Sequence, residues 1–144
     1  VLIVRTTIVG LNLNVKRKSF VEWIIESVST NESINLFDDV YFTPITIWRF
    51  GTELKRLIRE GFKKQIYHIA GGEVTTKYDF GFELIKSMNG NLDTINKSSI
   101  HYFADRAKRS NDQTLSCELY ESDYSVKLPS LHETIKEFEK KYYE

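Results

Sequence analysis

Residues 1–4, Val-Leu-Ile-Val, form an unbroken apolar and largely β-branched run, the pattern of a strand buried on both faces in a parallel sheet. Ile34-Asn35-Leu36-Phe37 and residues 65–70 give two further strand patterns. Between them the hydrophobic period becomes helical. After a polar, basic loop at residues 12–18, Phe20, Val21, Ile24, Ile25 and Val28 recur at helical spacing. A second helix is predicted after Thr43-Pro44, with Ile47, Phe50, Leu54, Leu57 and Ile58 on one stripe, Trp48 and Arg49 off it, and Gly61 suited to a C-terminal cap. Thr76 precedes Lys77-Tyr78-Asp79, so its hydroxyl can cap a third helix, with Asp79 complementing the positive helix end. Phe80, Leu84, Ile85 and Met88 are its apolar side, and Asn89-Gly90-Asn91 its stop. Pro129, then Ser130 with Glu133 three residues on, announces a last helix carrying Leu131, Ile135, Phe138 and Tyr142. From 91 to 128 the period fades, which reads as long connecting structure.

Strand and helix patterns in alternation predict α/β architecture. With only three clear strands, the run at residues 1–4 calls for sheet neighbours upstream, and the chain reads as the second half of an enzyme.

Composition excludes classes of function more than it selects one. The 144 residues are 41% hydrophobic and 13% aromatic, enough for the core of one domain. Twenty basic and twenty acidic residues cancel, so no global field draws nucleic acid or an anionic membrane, and any anion must be met by a local site. Nothing in residues 1–144 resembles a secretion signal, and no apolar stretch approaches the roughly 18 residues that would suggest a membrane helix; a cytoplasmic protein is expected. Cys117 is the lone cysteine and His68, His101 and His132 are scattered, so no metal site is expected.

Three places could carry chemistry. The loop Thr6-Thr7-Ile8-Val9-Gly10 follows the first strand, where ligands of open α/β sheets bind; Thr6 and Thr7 could equally continue the strand. Gly71-Gly72 lies between a strand and the Thr76 helix, where glycines admit a phosphate or simply satisfy a tight turn; no G-x-G-x-x-G spacing accompanies them. The basic run Arg106-Ala107-Lys108-Arg109-Ser110 could clamp a phosphate or be solvated surface. Asp38-Asp39 fits a turn better than an acid–base pair, because adjacent strand residues point apart.

Taken in order, Val4-Arg5-Thr6-Thr7-Ile8-Val9-Gly10, Ser19-Phe20-Val21, Asp38-Asp39-Val40-Tyr41-Phe42-Thr43-Pro44, Ile66-Tyr67-His68-Ile69-Ala70-Gly71 and Arg109-Ser110-Asn111-Asp112-Gln113-Thr114-Leu115-Ser116 resemble successive landmarks of the dTDP-4-dehydrorhamnose reductase branch of the extended short-chain dehydrogenases. The family reads roughly R-T-S-W-V-Y-G, N-F, D-D-Q-x-G-x-P-T, Y-H-L-A-G and R-P-x-N-x-x-L-D in these stretches. The resemblance implies the C-terminal portion of a Rossmann-type fold with a small substrate-binding lobe, and reduction of a 4-keto nucleotide sugar such as dTDP-4-dehydrorhamnose by NADPH or NADH. Residues 1–144 would be the last Rossmann strands and helices with that lobe. The coenzyme fingerprint and the Tyr-x-x-x-Lys catalytic pair would belong to an N-terminal half of the same protein, so no catalytic residue carries over; a homodimer is left open.

By the same resemblance Thr7, Ile8 and Val9 border the nicotinamide and sugar, Ser19 and Phe20 match the Asn-Phe pair, Asp39, Val40, Thr43 and Pro44 belong to a loop near the substrate, and Arg109 meets the sugar nucleotide. The chain departs from the pattern at Ile8 for Trp, Ser19 for Asn, Val40 for Gln, Ile45 for Thr and Ser110 for Pro, and lacks the Tyr before Gly10. These changes remove polar or stacking groups, which leaves open a different substrate or a loss of catalysis. The second alternative resembles the regulatory subunit of methionine adenosyltransferase, a binding protein on the same scaffold with a similar Thr-Lys-Tyr helix start.

Overall fold

A computed structural model describes residues 1–12, 14, 16–103 and 109–144. In chain order it contains β1 (Ile3–Arg5), β2 (Ile8–Val9), α1 (Phe20–Ser29), β3 (Ile34–Phe37), β4 (Tyr41–Phe42), β5 (Ile45–Thr46), α2 (Ile47–Glu60), β6 (Ile66–His68), β7 (Thr75–Thr76), α3 (Lys77–Ser87), β8 (Ile95–Ser98), β9 (Asp112–Gln113), α4 (Glu118–Tyr124) and α5 (Leu131–Tyr143). The strands form parallel pairs β1–β6, β2–β5 and β3–β8, and a three-stranded patch ordered β7-β4-β9. In that patch β4 runs antiparallel to β7 and parallel to β9. The α/β class read from the alternating patterns is the one observed.

Helix starts follow the local chemistry of the sequence. Thr76 Oγ1 accepts the Asp79 N–H at 3.0 Å, and Ser130 and Glu133 form a reciprocal capping box ahead of α5, each supplying acceptors for the free N–H groups of a first turn. α1 has a second such box, between Ser19 and Glu22, so Ser19, read above only as a ligand position, is also the residue that begins this helix. α2 begins at Thr46, whose Oγ1 accepts from the Arg49 N–H at 3.0 Å. Its start lies beyond Thr43-Pro44 because the intervening residues pair as β5 with β2.

Two expectations need correction. The opening run is not buried on both faces: Ile3 is 48% exposed and its register partner Ile66 43%. Among the described residues β1 has β6 as its one strand neighbour. The α2 stripe is also rotated, since Ile58 is 83% exposed whereas Glu53 is fully buried. Ion pairs with Arg49 and Arg56 and a hydrogen bond from Tyr120 make that burial tolerable, and no apolar periodicity reveals it.

The stretch from 91 to 128 is more ordered than its weak pattern suggests. It holds 3-10 turns at Leu92–Thr94 and Ile100–Tyr102 as well as β8, β9 and α4. Tyr120 and Tyr124 of α4 pack edge-on against Tyr67, within a cluster that includes Ile45, Leu57 and Leu128. A second cluster joins Val9, Val21, Phe42, Phe80 and Phe138. No helix among the described residues is long and apolar enough to cross a membrane.

Candidate functional site

The link between β1 and β2 is tied to the segment after β4, and the strands of the β7-β4-β9 patch to one another, by a set of long-range hydrogen bonds. Thr7 Oγ1 donates to the Thr43 carbonyl, and the Ile45 N–H donates to the Thr7 carbonyl at 3.1 Å. Thr43 Oγ1 accepts from the Leu115 N–H at 3.2 Å. The Tyr41 N–H reaches the Asn111 carbonyl at 2.7 Å, and the Lys77 N–H reaches the Val40 carbonyl at 3.0 Å. Four segments distant in sequence are thereby held together through backbone groups whose partners would otherwise be water.

Two adjoining hollows open at this junction. The smaller, of about 220 Å³, is lined by Thr7, Ile8, Val9, Ser19, Phe20, Phe42, Lys77 and Gln113, among others. The larger, of about 760 Å³, is bordered by Phe20, Trp23, Phe37, Val40, Phe103, Lys77, Arg109 and Gln113 together with polar neighbours. Phe20, Lys77 and Gln113 belong to both. Aromatic walls beside two cations and an amide suit a ligand with a flat ring and an anionic group.

The structure gathers seven of the sequence-derived positions around these hollows: Thr7, Ile8, Val9, Ser19 and Phe20 around the smaller, Val40 and Arg109 around the larger. Asp39, Thr43 and Pro44 line neither. Asp39 accepts from Ser99 Oγ at 2.5 Å and the Ile100 N–H at 3.0 Å, tying the end of β3 to the turn after β8. Burial raises the Asp39 pKa, but these hydrogen bonds outweigh it and hold the carboxyl below its ordinary value. Thr43 is buried and spends its carbonyl and hydroxyl on the bonds above. The Pro44 carbonyl lies where a side chain on Gly71 would stand, 2.2 Å from the Cβ position, so Gly71 serves a close backbone approach. Of the basic run at 106–110, residues 106–108 lie outside the described residues.

Lys77, Gln113, Phe42 and Trp23 were not singled out as ligand positions. Lys77 is the first residue of α3, half-buried, with Nζ 3.4 Å from the Phe42 ring centroid and 5.0 Å from that of Phe20. Burial pushes its pKa down to about 8. Its place behind the Thr76 cap was readable, but its two aromatic neighbours come from α1 and β4. Thr6 Oγ1 is a buried polar atom without a hydrogen-bond partner among the described residues, located where β1 ends. Among the described residues, no group of three or more His, Cys, Asp or Glu could hold a metal ion.

Comparison with known proteins now bears on this geometry. The family described as RmlD substrate binding domain matches residues 1–144. Among solved structures, the chain is similar to a dTDP-4-dehydrorhamnose reductase from Bacillus anthracis in complex with NADP, with a TM-score of 0.85 and 19% identity over 97% of this chain and 48% of that one. A dTDP-4-dehydrorhamnose reductase from Clostridium acetobutylicum gives a TM-score of 0.82 at 19% identity, covering 98% of this chain and 48% of that one. A dTDP-glucose 4,6-dehydratase from B. anthracis in complex with NAD gives 0.74 at 10% identity, covering 99% and 44%. At these identities the likeness shows a shared α/β fold. The chain spans about half the length of these structures. No curated protein matches it.

Proposed function

Because this chain belongs to the RmlD substrate binding domain family, we propose that it is the substrate-binding part of an NAD(P)-dependent nucleotide-sugar reductase, with the two adjoining hollows as the sugar-nucleotide site. The carrying observation is the convergence of Thr7, Ile8, Val9, Ser19 and Phe20 on one hollow and of Val40 and Arg109 on its neighbour. The smaller volume fits a hexose ring. The larger, walled by Phe20, Trp23 and Phe37, fits a nucleobase against aromatic faces, with Arg109 at the diphosphate.

Each residue has a task in that reading. Ile8 and Val9 exclude water from the sugar, while Thr7 is fixed by Thr43 and keeps the strand-end loop in place. A nicotinamide coenzyme, when bound, supplies the hydride that reduces the keto group. The hydroxyl of Thr6, which has no hydrogen-bond partner among the described residues, fits a polar edge of such a group. The sequence has no Tyr followed by Lys at the fourth place, so we assign the proton donor, and the turn that holds the coenzyme phosphates, to an N-terminal half of the same protein. Reduction of a 4-keto sugar such as dTDP-4-dehydrorhamnose would then take place between the two halves.

Calorimetric titration of the purified protein with dTDP-glucose and UDP-glucose tests the reading. Saturable binding is expected for at least one of them. Absence of binding up to millimolar concentration would overturn it. Binding without coenzyme oxidation when a 4-keto nucleotide sugar is supplied to the full-length protein would instead favour a regulatory subunit on this scaffold, a reading consistent with Ile8 standing where the family has a stacking Trp.

A further inference from the structure

Lys77 is a half-buried cation that has no counter-charge among the described residues. Among the described residues no carboxylate forms an ion pair with its ammonium, and none of its three Nζ–H donors meets an acceptor. Four of the acidic groups on the surrounding elements are committed elsewhere, and the fifth, Glu32, is exposed and forms no ion pair with Lys77. Glu22 of α1 accepts from the backbone of Asn12 and Ser19, Asp39 from Ser99 and Ile100, Asp79 of α3 from Thr76, and Asp112 of β9 from Thr114. Glu32 and Arg109 face the larger hollow, and Tyr41 of β4 is exposed.

Partial burial of an unpaired ammonium is costly, and the faces of Phe42 and Phe20 return part of that cost without using its hydrogen-bond donors. A lysine with only a structural task would extend its head to water. This one borders both hollows at the point where they meet.

We propose that Lys77 is a second anion-binding residue of the ligand site beside Arg109, its ammonium taking an anionic oxygen group of the ligand, a phosphate or a carboxylate, at the junction of the two hollows. The proposal rests on the reading of those hollows as the sugar-nucleotide site. Burial alone holds the free amine near 8, and a bound anion raises that value by favouring the charged form. Affinity for the anion is therefore complete below pH 8 and is lost as pH rises through the pKa of the complex.

The test compares the whole chain as wild type, Lys77→Gln and Lys77→Arg. Calorimetry at pH 7 and 9.5 uses dTDP, UDP-glucose and UDP-glucuronate, and the lysine Nζ resonances are followed by NMR during a pyrophosphate titration. Lys77→Gln is expected to weaken anion binding roughly tenfold or more, while Lys77→Arg retains it within roughly threefold and removes the loss between pH 7 and 9.5. An equal loss for all three ligands identifies the phosphate as the group held; a loss confined to UDP-glucuronate identifies the sugar carboxylate. Wild-type affinity for every anion in Lys77→Gln overturns the proposal. Should the wild type bind no sugar nucleotide, the reading of the hollows fails, and the Lys77 resonance then decides separately: a pyrophosphate-dependent shift upholds an anion site, and a fixed resonance rejects it. Should Lys77→Gln not fold, the pH dependence of the wild type against Lys77→Arg gives the same decision.

Discussion

Glu53 shows what a single side chain can demand of its surroundings. Its fully buried carboxylate accepts from Arg49 Nε at 2.7 Å, Arg56 Nε at 3.0 Å and Tyr120 Oη at 2.8 Å. Burial pushes its pKa up, but the three donors together prevail and hold it below the ordinary 4.5. A carboxyl whose folded pKa is depressed stabilises the fold above its unfolded value and loses that contribution as pH falls through the folded one. Thermal unfolding followed across pH 7 to 3 should therefore show a loss beginning below about 4.5 that Glu53→Gln lacks. Glu53→Ala should cost about 3–5 kcal/mol in urea unfolding, because the phenol and the two guanidinium groups lose their shared acceptor. Gly71 is constrained in the opposite sense. A methyl group there would overlap the Pro44 carbonyl, and Gly71→Ala should destabilise by about 1–3 kcal/mol or more, measured the same way. The sequence reading of Gly71-Gly72 left a turn and a phosphate site open, and backbone contact settles the first glycine as structural.

At the scale of elements, helix starts depend on neighbours three residues away and are accordingly legible. The Thr76 cap and the Ser130–Glu133 box occur as read from the sequence. The Ser19–Glu22 box was equally readable by the same rule, since Ser-x-x-Glu precedes an apolar run, yet Ser19 drew attention only through the family pattern. Ser19→Ala should lower stability by about 0.5–2 kcal/mol, seen as an earlier urea midpoint, by removing the acceptor for the Glu22 N–H. Strands behave differently. β4, β7 and β9 are two residues each, too short for any alternation to register, and they exist because their backbone groups find one another across the chain.

At the scale of the whole molecule, the site is made by contacts between segments. Thr7 meets Thr43 across 36 residues and Leu115 meets Thr43 across 72; these links bring Arg109 and Val40 to the rim of one hollow. Arg109→Ala should weaken sugar-nucleotide binding by roughly 1.5–3 kcal/mol if the guanidinium makes charged hydrogen bonds to the diphosphate. Unchanged affinity in a calorimetric titration would remove Arg109 from the site. The family pattern pointed to most of the segments that line the hollows, although it included Asp39, Thr43 and Pro44, whose polar groups are spent on holding loops.

By itself the sequence determined the α/β alternation, the four long helices and the caps that Thr76 and Ser130 provide. Each depends on hydrophobic period or on hydrogen bonds within one helical turn, and both are local. Only the tertiary structure decided that Ile58 faces water and Glu53 the interior, that β4 joins β7 to β9, and that Lys77 lies against Phe20 and Phe42 with no counter-charge among the described residues. Those outcomes depend on which distant groups compete for the same buried space and the same hydrogen-bond partners, and that competition exists only once the chain has closed on itself.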